Sequence, residues 1–417
     1  MKVTAIVASG IVAGVALLSL GVPAGAADKK PANSAKVAAA LKPAQEALQA
    51  KKWQDALAKI REAQAAPDKN PYDVYVIHEF ACQANVGAGQ YAEAAKECEA
   101  WVSDTQYVQE SEKPKIIKIL LSLNYQLKNY DKAIEFGQQA IKGGFATEED
   151  KNTVAQAYYL KGDWKNAQKA EDALIDTEIK AGQTPKEQQL ALVLNSCIKL
   201  DDKACQEHTM ERMVAYYPKP EYWSQLLFTV LQQASGNDTN TMETYRLMFD
   251  VDVLKTPGDY NEMAQMALEQ GSPGEAVRVL EKGFSSGIFT EQRIKERNQR
   301  LLDSAKKTAA SDQASLAKAE KDADAATTGT KNVALGLAYL GYQQYDKAIE
   351  RLNKGITKGG LKNDADAKLL LGIAQFKAGH KDDAQKTWKT VKGDGGTKGE
   401  PVLERLAYLW GLHAKQG

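Results

Sequence analysis

The sequence is poor in the side chains and motifs that carry enzyme chemistry. Only four histidines occur among 417 residues, and they form no His-x-x-x-His pair. No Cys-x-x-Cys motif is present, so a zinc site is not expected. The sequence also lacks a phosphate-binding glycine loop, a nucleophile elbow and a dinucleotide-binding fingerprint. It therefore predicts a protein that is not an enzyme and that holds no metal and no cofactor.

The chain also has no excess of charge of either sign. Its 54 Lys and Arg residues balance 54 Asp and Glu residues. A protein that works mainly on nucleic acid or on an acidic membrane carries a basic surface, so neither partner is expected. Beyond Ala27 no apolar stretch approaches the length that crosses a membrane, and we expect no membrane span after that point.

The first 26 residues have the pattern of a secretory signal peptide. Lys2 is followed by an apolar run from Val3 to Val22 and then by small residues, which predicts cleavage after Ala26. The alternative is an uncleaved membrane anchor, because the run is long enough to span a membrane. No cysteine follows the run to carry a lipid anchor. We expect a periplasmic or secreted protein that begins with a flexible leader at 27–36.

Four cysteines in an exported chain predict two disulfides. Cys82 and Cys98 lie symmetrically about one predicted bend between helices, and Cys197 and Cys205 lie symmetrically about another. Cysteines equidistant from the bend of a helical hairpin face each other across it, so the spacing favours these two local pairs. The alternative is four buried free thiols, which pack as small apolar side chains.

An aromatic residue, or a substitute for one, stands three places before an alanine at seven points in the chain, each at the predicted start of a helix. An eighth instance, Asp201/Ala204, keeps only the alanine. Successive instances lie 34 to 39 residues apart, except for two gaps of 72. A period near 36 is typical of a helical solenoid, in which each unit buries its apolar face against its neighbours. The seven pairs are Trp53/Ala56, Tyr91/Ala94, Tyr130/Ala133, Trp164/Ala167, Pro273/Ala276, Tyr345/Ala348 and Lys381/Ala384.

The predicted fold is all-α, a solenoid of about ten antiparallel helix pairs and a C-terminal capping helix at 401–415. Residues 37–290 form the N-terminal array in this interpretation. A stretch rich in Ala, Lys and Asp follows at 291–328, and two further units occupy 329–400. Such a stretch forms good helix but buries little apolar surface, so we expect a long helical hairpin or a partly disordered insert there.

The repeats resemble tetratricopeptide repeats (TPR) in the order of small residue, tyrosine, bend, aromatic, alanine and apolar closing residue. The clearest instance is Tyr130–Glu135, whose six residues return unchanged at Tyr345–Glu350. The resemblance covers nearly all of the chain after the signal peptide and is to exported, bacterial-type TPR proteins. It implies a right-handed superhelical array whose concave groove, lined by the first helix of each unit, holds an extended peptide or a partner helix.

One unit, at 220–256, departs from the pattern because it lacks the alanine and has a polar bend. It is nevertheless the most aromatic part of the chain. We interpret these rings as a core that replaces the missing alanine contact, and the alternative is an exposed aromatic binding patch. The rings belong to Tyr216, Tyr217, Tyr222, Trp223, Phe228, Tyr245 and Phe249.

The exposed side of the first helices supplies the predicted partner-binding groove. Lysines and amides suit the carboxylates and backbone groups of a peptide, and tyrosines add rigid contact area with one polar tip. The carboxylate clamp of some TPR proteins needs a set of Lys, Asn and Arg residues over three adjacent units. Here no arginine completes that set. The predicted groove residues are Lys115, Lys118, Ser122, Tyr125, Asn152, Gln156, Tyr159, Gln189, Asn261 and Gln265.

Two functional hypotheses follow from the sequence. The first is an exported scaffold or adaptor that binds a protein or peptide partner in the cell envelope. The second is a structural or assembly factor that self-associates through an apolar C-terminal end, unless the capping helix covers that end. The apolar positions concerned are Val333, Leu337, Leu340, Leu369, Ile373 and Phe376.

Overall fold

A computed structural model describes residues 31–392 and 400–416 of the chain. The predicted signal peptide and the first part of the predicted leader lie outside these residues. The described chain contains twenty α-helices and no strand, as expected of an all-α repeat protein. It divides into two compact parts, unit 1 up to residue 145 and unit 2 from residue 146 onward.

Unit 1 consists of three antiparallel helix pairs stacked in the order of the chain. Each helix packs mainly against the helices before and after it, and α1 also contacts α3. The pairs are α1 Ala35–Gln49 with α2 Trp53–Ala65, α3 Pro71–Gly87 with α4 Tyr91–Ser103, and α5 Lys113–Gln126 with α6 Tyr130–Lys142.

Unit 2 contains six further pairs, one long unpaired helix and the C-terminal helix. The pairs are α7 Glu148–Lys161 with α8 Trp164–Lys180, α9 Glu187–Lys199 with α10 Lys203–Tyr216, α11 Pro220–Ala234 with α12 Asp238–Asp250, α13 Pro257–Glu269 with α14 Pro273–Ser285, α16 Thr330–Gly341 with α17 Tyr345–Lys358, and α18 Asp364–Lys377 with α19 Lys381–Trp388. The long helix is α15 Gln292–Ala325, and the C-terminal helix is α20 Glu400–Gln416.

The same bend joins the two helices of every pair. Two residues before each second helix, one residue takes a left-handed backbone conformation with positive φ, as Gly89 does before Tyr91. The amide of the next residue, Gln90, donates to the carbonyl of Asn85 at 2.9 Å and so closes the end of the first helix. The nine bend residues are Lys51, Gly89, Lys128, Gly162, Asp201, Gly236, Gly271, Gln343 and Gly379.

The alanine of the repeat lies where paired helices approach most closely. All seven alanines of the aromatic–alanine pairs are fully buried, and each lies four positions into a second helix, as Ala133 does in α6. Close approach also explains Gly336 on α16, since a Cβ built there would lie 2.6 Å from Leu352 Cγ. The eighth instance is different: Asp201 is the bend residue itself, so Ala204 lies one position after the start of α10 and is exposed.

The aromatic unit at 220–256 is mostly core. Tyr222, Trp223 and Tyr245 are between 2% and 6% exposed and belong to one apolar cluster that continues through unit 2. Phe228 is the exception, because it points away from the cluster and is 57% exposed. The rings therefore replace the missing alanine contact, as the core interpretation predicts.

The Ala-rich stretch forms one continuous helix, α15, where the sequence led us to expect a hairpin or a partly disordered insert. Its 34 residues contain neither glycine nor proline, so nothing breaks the helix between its ends. One stripe of mostly small side chains packs against α14 and α16. The buried positions of the stripe are Asn298, Leu302, Ala305, Ala309, Leu316 and Ala323.

The C-terminal helix α20 packs against α18 and α19 and, in addition, against α10, α11 and α12 from the middle of unit 2. Its buried side includes Leu406, Leu409 and Trp410, each at most 1% exposed. Phe376 of α18 lies 6.2 Å from the Trp410 ring, measured between centroids. All six apolar positions singled out for self-association are buried or half-buried within the unit.

Candidate functional site

Four of the predicted groove residues lie on one face of α5 in unit 1. Lys115, Lys118, Ser122 and Tyr125 recur three or four positions apart, which places them in one line along the helix. Lys115 is exposed and the other three are half-buried. The opposite side of α5 is core, so the polar line is held in place by the packing behind it. Tyr125 also packs on Tyr130 at the start of α6, with 6.2 Å between ring centroids.

Tyrosines and carboxylates next to this line were not singled out from the sequence. Tyr72 and Tyr75 of α3 and Tyr107 from the loop before α5 form a cluster with ring centroids 5.3 to 5.9 Å apart. The Tyr75 hydroxyl donates to Glu112 Oε2 at 3.3 Å. A sequence signal did exist, because residues 72, 75 and 79 are spaced to share one face of a helix.

Glu79 of α3 is the most perturbed acid of unit 1. Burial, and then the nearby carboxylate of Glu112, raise the pKa of Glu79 to about 7, while Lys115 acts in the opposite direction. Gln83 donates to its Oε1 at 3.2 Å. Near neutral pH this carboxyl is therefore partly protonated, and the charge beside Lys115 changes with small changes in pH.

Three further predicted residues line one face of α7 in unit 2. Asn152 donates from Nδ2 to Glu171 Oε1 of α8 at 3.2 Å, and Gln156 donates to Asn152. Tyr159 packs edge-on against Trp164, with 5.1 Å between ring centroids. Glu171 is fully buried, and burial raises its pKa to about 7. Asn152 therefore has an internal role as well as a half-exposed side.

The remaining predicted groove residues do not share one environment. Gln189 is 5% exposed and caps α9, accepting from the Lys186 amide at 2.7 Å. Asn261 is 9% exposed and donates to Asn298 of α15 at 2.7 Å. Gln265 is exposed on α13. Of these three, only Gln265 presents its side chain to solvent.

The four cysteines form the two local pairs that the spacing favours. Cys82 and Cys98 lie at disulfide distance with their Cα atoms 4.9 Å apart, and Cys197 and Cys205 do so with Cα atoms 5.7 Å apart. Each pair joins the two helices of one repeat. Such pairs fit an extracellular or otherwise oxidising location.

Among the described residues, no group of three or more His, Cys, Asp or Glu side chains is arranged to hold a metal ion. The depression beside Trp53, lined also by Lys52 and Gly87, is open to solvent rather than enclosed. None of the described helices combines the length and the apolar character needed to cross a membrane.

No protein-family model and no curated protein matches the chain. Solved structures with a similar fold include a tetratricopeptide repeat protein from Parabacteroides merdae, with 13% identity over 72% of this chain and 99% of that chain and a TM-score of 0.30. The TPR2AB domain of yeast Sti1 in complex with pHSP90 gives the same identity and coverages and a TM-score of 0.24. Naa15/Naa10 bound to HypK-THB gives 14% identity, 85% of this chain, 58% of that chain and a TM-score of 0.32.

These TM-scores are low, and the repeat architecture of the chain is defined by its own geometry. Nine antiparallel helix pairs in the described residues share one bend, and seven of them share one buried alanine. The described chain is therefore an α-helical repeat protein built from antiparallel helix pairs. In such arrays each unit contacts mainly its neighbours.

Proposed function

We propose that this TPR-like protein is a non-enzymatic scaffold, exported to the cell envelope, that binds a protein or peptide partner through the polar side of its first helices. The observation that carries the proposal is the line of Lys115, Lys118, Ser122 and Tyr125 on α5. These side chains are backed by a packed core, and Glu112, just before α5, accepts a hydrogen bond from Tyr75 of the tyrosine cluster.

The chemistry of this line suits a peptide better than a small molecule. Lysine and serine can donate to carboxylates and to backbone carbonyls, and tyrosine adds contact area at a low cost in side-chain entropy. The line is open and extended, whereas a small-molecule site is concave and encloses most of its ligand. Binding would then come from several modest contacts over a preformed surface, which reduces the entropy lost on association.

The face of α7 is a second contact surface in this proposal and belongs to unit 2. Tyr159 is its main candidate, since Trp164 fixes its ring from behind. Asn152 and Gln156 add amide groups beside it, although Asn152 already binds Glu171.

Export is supported by the signal-peptide pattern of the first 26 residues and by the two cysteine pairs. In this proposal the mature chain begins at Ala27. Mass measurement of the protein purified from cells tests it directly, and an intact N-terminus on envelope-associated protein would indicate an anchor instead.

Photocrosslinking in intact cells tests the binding surface. A photoreactive residue replaces Tyr125 or Tyr159, and matched controls replace the exposed Gln139 of α6 and Lys169 of α8. We expect a discrete crosslinked product from the first two positions and none from the controls. Products of equal yield from all four positions, or no product from Tyr125 and Tyr159, would contradict the proposal.

A charge-reversal variant sharpens the test once a partner has been captured. The double substitution K115E/K118E should weaken binding of that partner at least tenfold and leave the helix content unchanged, because both side chains lie outside the core. Binding by isothermal titration at two salt concentrations, with circular dichroism as the folding control, measures both effects. Unchanged affinity would remove α5 from the binding surface.

A further inference from the structure

Unit 2 contains a buried group of charged side chains that the proposed function does not use. Glu243 and Arg246 belong to α12, Glu275 to α14 and Asp366 to α18. Glu243, Arg246 and Glu275 are 1%, 5% and 6% exposed. The group therefore contains side chains from three helices of unit 2, and its members lie as far apart in the sequence as residues 243 and 366.

Arg246 neutralises only part of this group. Its guanidinium binds Glu275 through two nitrogens, with Nε to Oε1 at 2.9 Å and Nη2 to Oε2 at 2.8 Å. Nη1 donates to Glu243 Oε1, and Nη2 also lies 3.3 Å from Gln270 Oε1. One guanidinium thus faces three carboxyl groups, which leaves two negative charges in the interior if all three are ionised.

Two carboxyl oxygens in the group have no hydrogen-bond donor. Glu243 Oε2 and Asp366 Oδ1 are both inaccessible to solvent and unsatisfied among the described residues. The two carboxyls also influence each other's protonation, since Asp366 raises the pKa of Glu243 and Glu243 lowers that of Asp366. Two ionised carboxylates cannot bond each other, because neither has a hydrogen to donate. A single proton on one of them would satisfy both oxygens and remove one of the two surplus charges.

We propose that Glu243 and Asp366 share one proton at neutral pH and that this proton links α12 to α18. Rising pH then releases the proton and weakens the link between these two helices of unit 2. The proton belongs to the pair, and either carboxyl can carry it. The bond formed is an O–H···O hydrogen bond between a carboxylic acid and a carboxylate, which is among the stronger kinds of hydrogen bond in proteins.

The electrostatic surroundings of Glu243 and Asp366 also favour retention of a proton on the pair. Burial, opposed in part by Arg246, raises the pKa of Glu243, and Asp366 and Glu275 raise it further. Burial also raises the pKa of Asp366. Glu275 differs, because Arg246 holds its pKa below the ordinary value despite burial. The pair, rather than Glu275, is therefore where a proton is retained.

Arg278 of α14 also acts on Glu275 of this group, and its Nε donates to the Gly341 carbonyl at 3.1 Å. Other charged groups near α12 bind partners outside the pair. His413 of α20 lies 2.9 Å from Asp250, two turns along α12 from Glu243, and Lys377 of α18 binds the same carboxylate. Glu262 of α13 accepts from the Tyr245 hydroxyl at 2.9 Å.

The sign of the pH effect follows from linkage. An acid whose folded pKa is raised binds its proton more tightly in the folded state, so it contributes stability below the unfolded pKa. That stability is lost as pH rises through the folded pKa. Between these two pKa values one linked proton makes the unfolding equilibrium constant of unit 2 rise tenfold per pH unit.

The test compares the pH dependence of unfolding in the full chain with that of two substitutions that imitate the protonated pair. Glu243→Gln and Asp366→Asn each supply an amide donor that does not titrate. We expect the tenfold rise per pH unit to be reduced in both variants, so that each becomes more stable than the wild type at alkaline pH. The matched control is Glu269→Gln at an exposed carboxyl of α13, which should keep the wild-type pH profile.

A second measurement keeps the proposal testable if the variants fold poorly. Infrared spectra of the wild-type chain should show the carbonyl band of a protonated carboxylic acid at neutral pH, and that band should disappear as pH rises. Absence of the band at neutral pH, or identical pH profiles of wild type and both variants, would overturn the proposal. Restoration of alkaline stability by a simple metal cation at constant ionic strength would also overturn it, because a cation rather than a proton would then neutralise the pair.

Discussion

Units 1 and 2 are built from the same helix pair but hold together in different ways. Among the described residues of unit 1, side-chain hydrogen bonds join neighbouring helix pairs, as Asp73 Oδ1 accepts from the Ser34 amide 39 residues away. In unit 2 they span as many as 202 residues, from Gln416 to the Val214 carbonyl. Unit 1 is thus a one-dimensional stack, whereas unit 2 is a stack whose end packs back on its middle.

The difference shows that the end of a helical-repeat array can pack back on the middle of the array. Arg405 of α20 donates to Glu207 at 2.8 Å and to Glu211 at 2.9 Å, both on α10. The side of α20 that faces α18 and α19 is instead apolar and aromatic. Unit 2 therefore has long-range contacts between its C-terminal helix and its middle, whereas each helix pair of unit 1 packs against its neighbours.

The largest expected effect comes from removing the aromatic anchor of α20. Trp410 is 1% exposed and its ring lies 6.0 Å from that of Trp388. Trp410→Ala should lower the free energy of unfolding of unit 2 by about 3–5 kcal/mol, because it leaves a cavity between helices. Hydrogen exchange followed by mass spectrometry, with peptides resolved by unit, measures it. The control is Tyr408→Ala, at a ring 51% exposed on the same helix. Unchanged protection of the unit 2 peptides, or equal effects of the two substitutions, would contradict the anchoring role of Trp410.

Next in size is the covalent link inside each unit. Cys82 and Cys98 close a loop of 16 residues in unit 1, and Cys197 and Cys205 close one of 8 in unit 2. Loop closure predicts losses of about 3 and about 2.5 kcal/mol when each pair is replaced by serines. Chemical denaturation of the two double variants, with and without reductant, tests this. A variant that remains sensitive to reductant to the same degree as wild type would show that its pair is not bonded.

The repeat alanines give a smaller effect with an internal control. Ala133 is fully buried in α6 of unit 1, whereas Ala204 is exposed on α10 of unit 2. Ala133→Leu should cost about 1–3 kcal/mol because the paired helices must move apart. Ala204→Leu should change stability by less than about 0.5 kcal/mol. Thermal unfolding of both variants decides the comparison. Equal losses of stability would contradict the assignment of Asp201 as the bend residue.

The smallest effect concerns the ion pairs. Arg405→Gln should destabilise unit 2 by roughly 1–2 kcal/mol, because the Arg405 side chain is only 12% exposed and binds two carboxylates. In unit 1, Lys132→Gln breaks an exposed pair with Glu99 and should cost less than about 1 kcal/mol. Denaturation at low and high salt separates the two variants. If added salt lowers the free energy of unfolding of unit 1 more than that of unit 2, the ion pairs of Arg405 do not stabilise the packing of α20 against α10.

Local sequence was sufficient to locate seven of the nine described helix pairs. Each of the seven aromatic–alanine pairs begins a second helix, because the ring and the alanine occupy fixed places beside the bend. The prediction is wrong at Asp201/Ala204, where the alanine fits the period by coincidence. Asp201 is the left-handed residue of the bend, two places before α10, so it does not occupy the aromatic position.

The candidate site was predictable only in part. Lys115, Lys118, Ser122 and Tyr125 follow from helical spacing on α5, and the structure places them together. Gln189 and Asn261 were predicted from the same helical spacing, but both are buried and hydrogen-bonded inside the protein. The partner of Asn261 is Asn298 of α15, and helical spacing does not reveal that these two residues are close. Glu79 and Tyr107 were missed for the same reason, because they reach the site from another helix and from a loop.

The sequence by itself determined the repeating helix pair, since bends, buried alanines and apolar stripes are local features repeated about every 36 residues. It also determined which cysteines face each other across a bend. Only the tertiary structure decided that α15 is one helix, that α20 packs against α10–α12, and that Glu243 meets Asp366. Those contacts join positions more than one repeat apart, and their free energy depends on how small rotations between neighbouring pairs accumulate along unit 2.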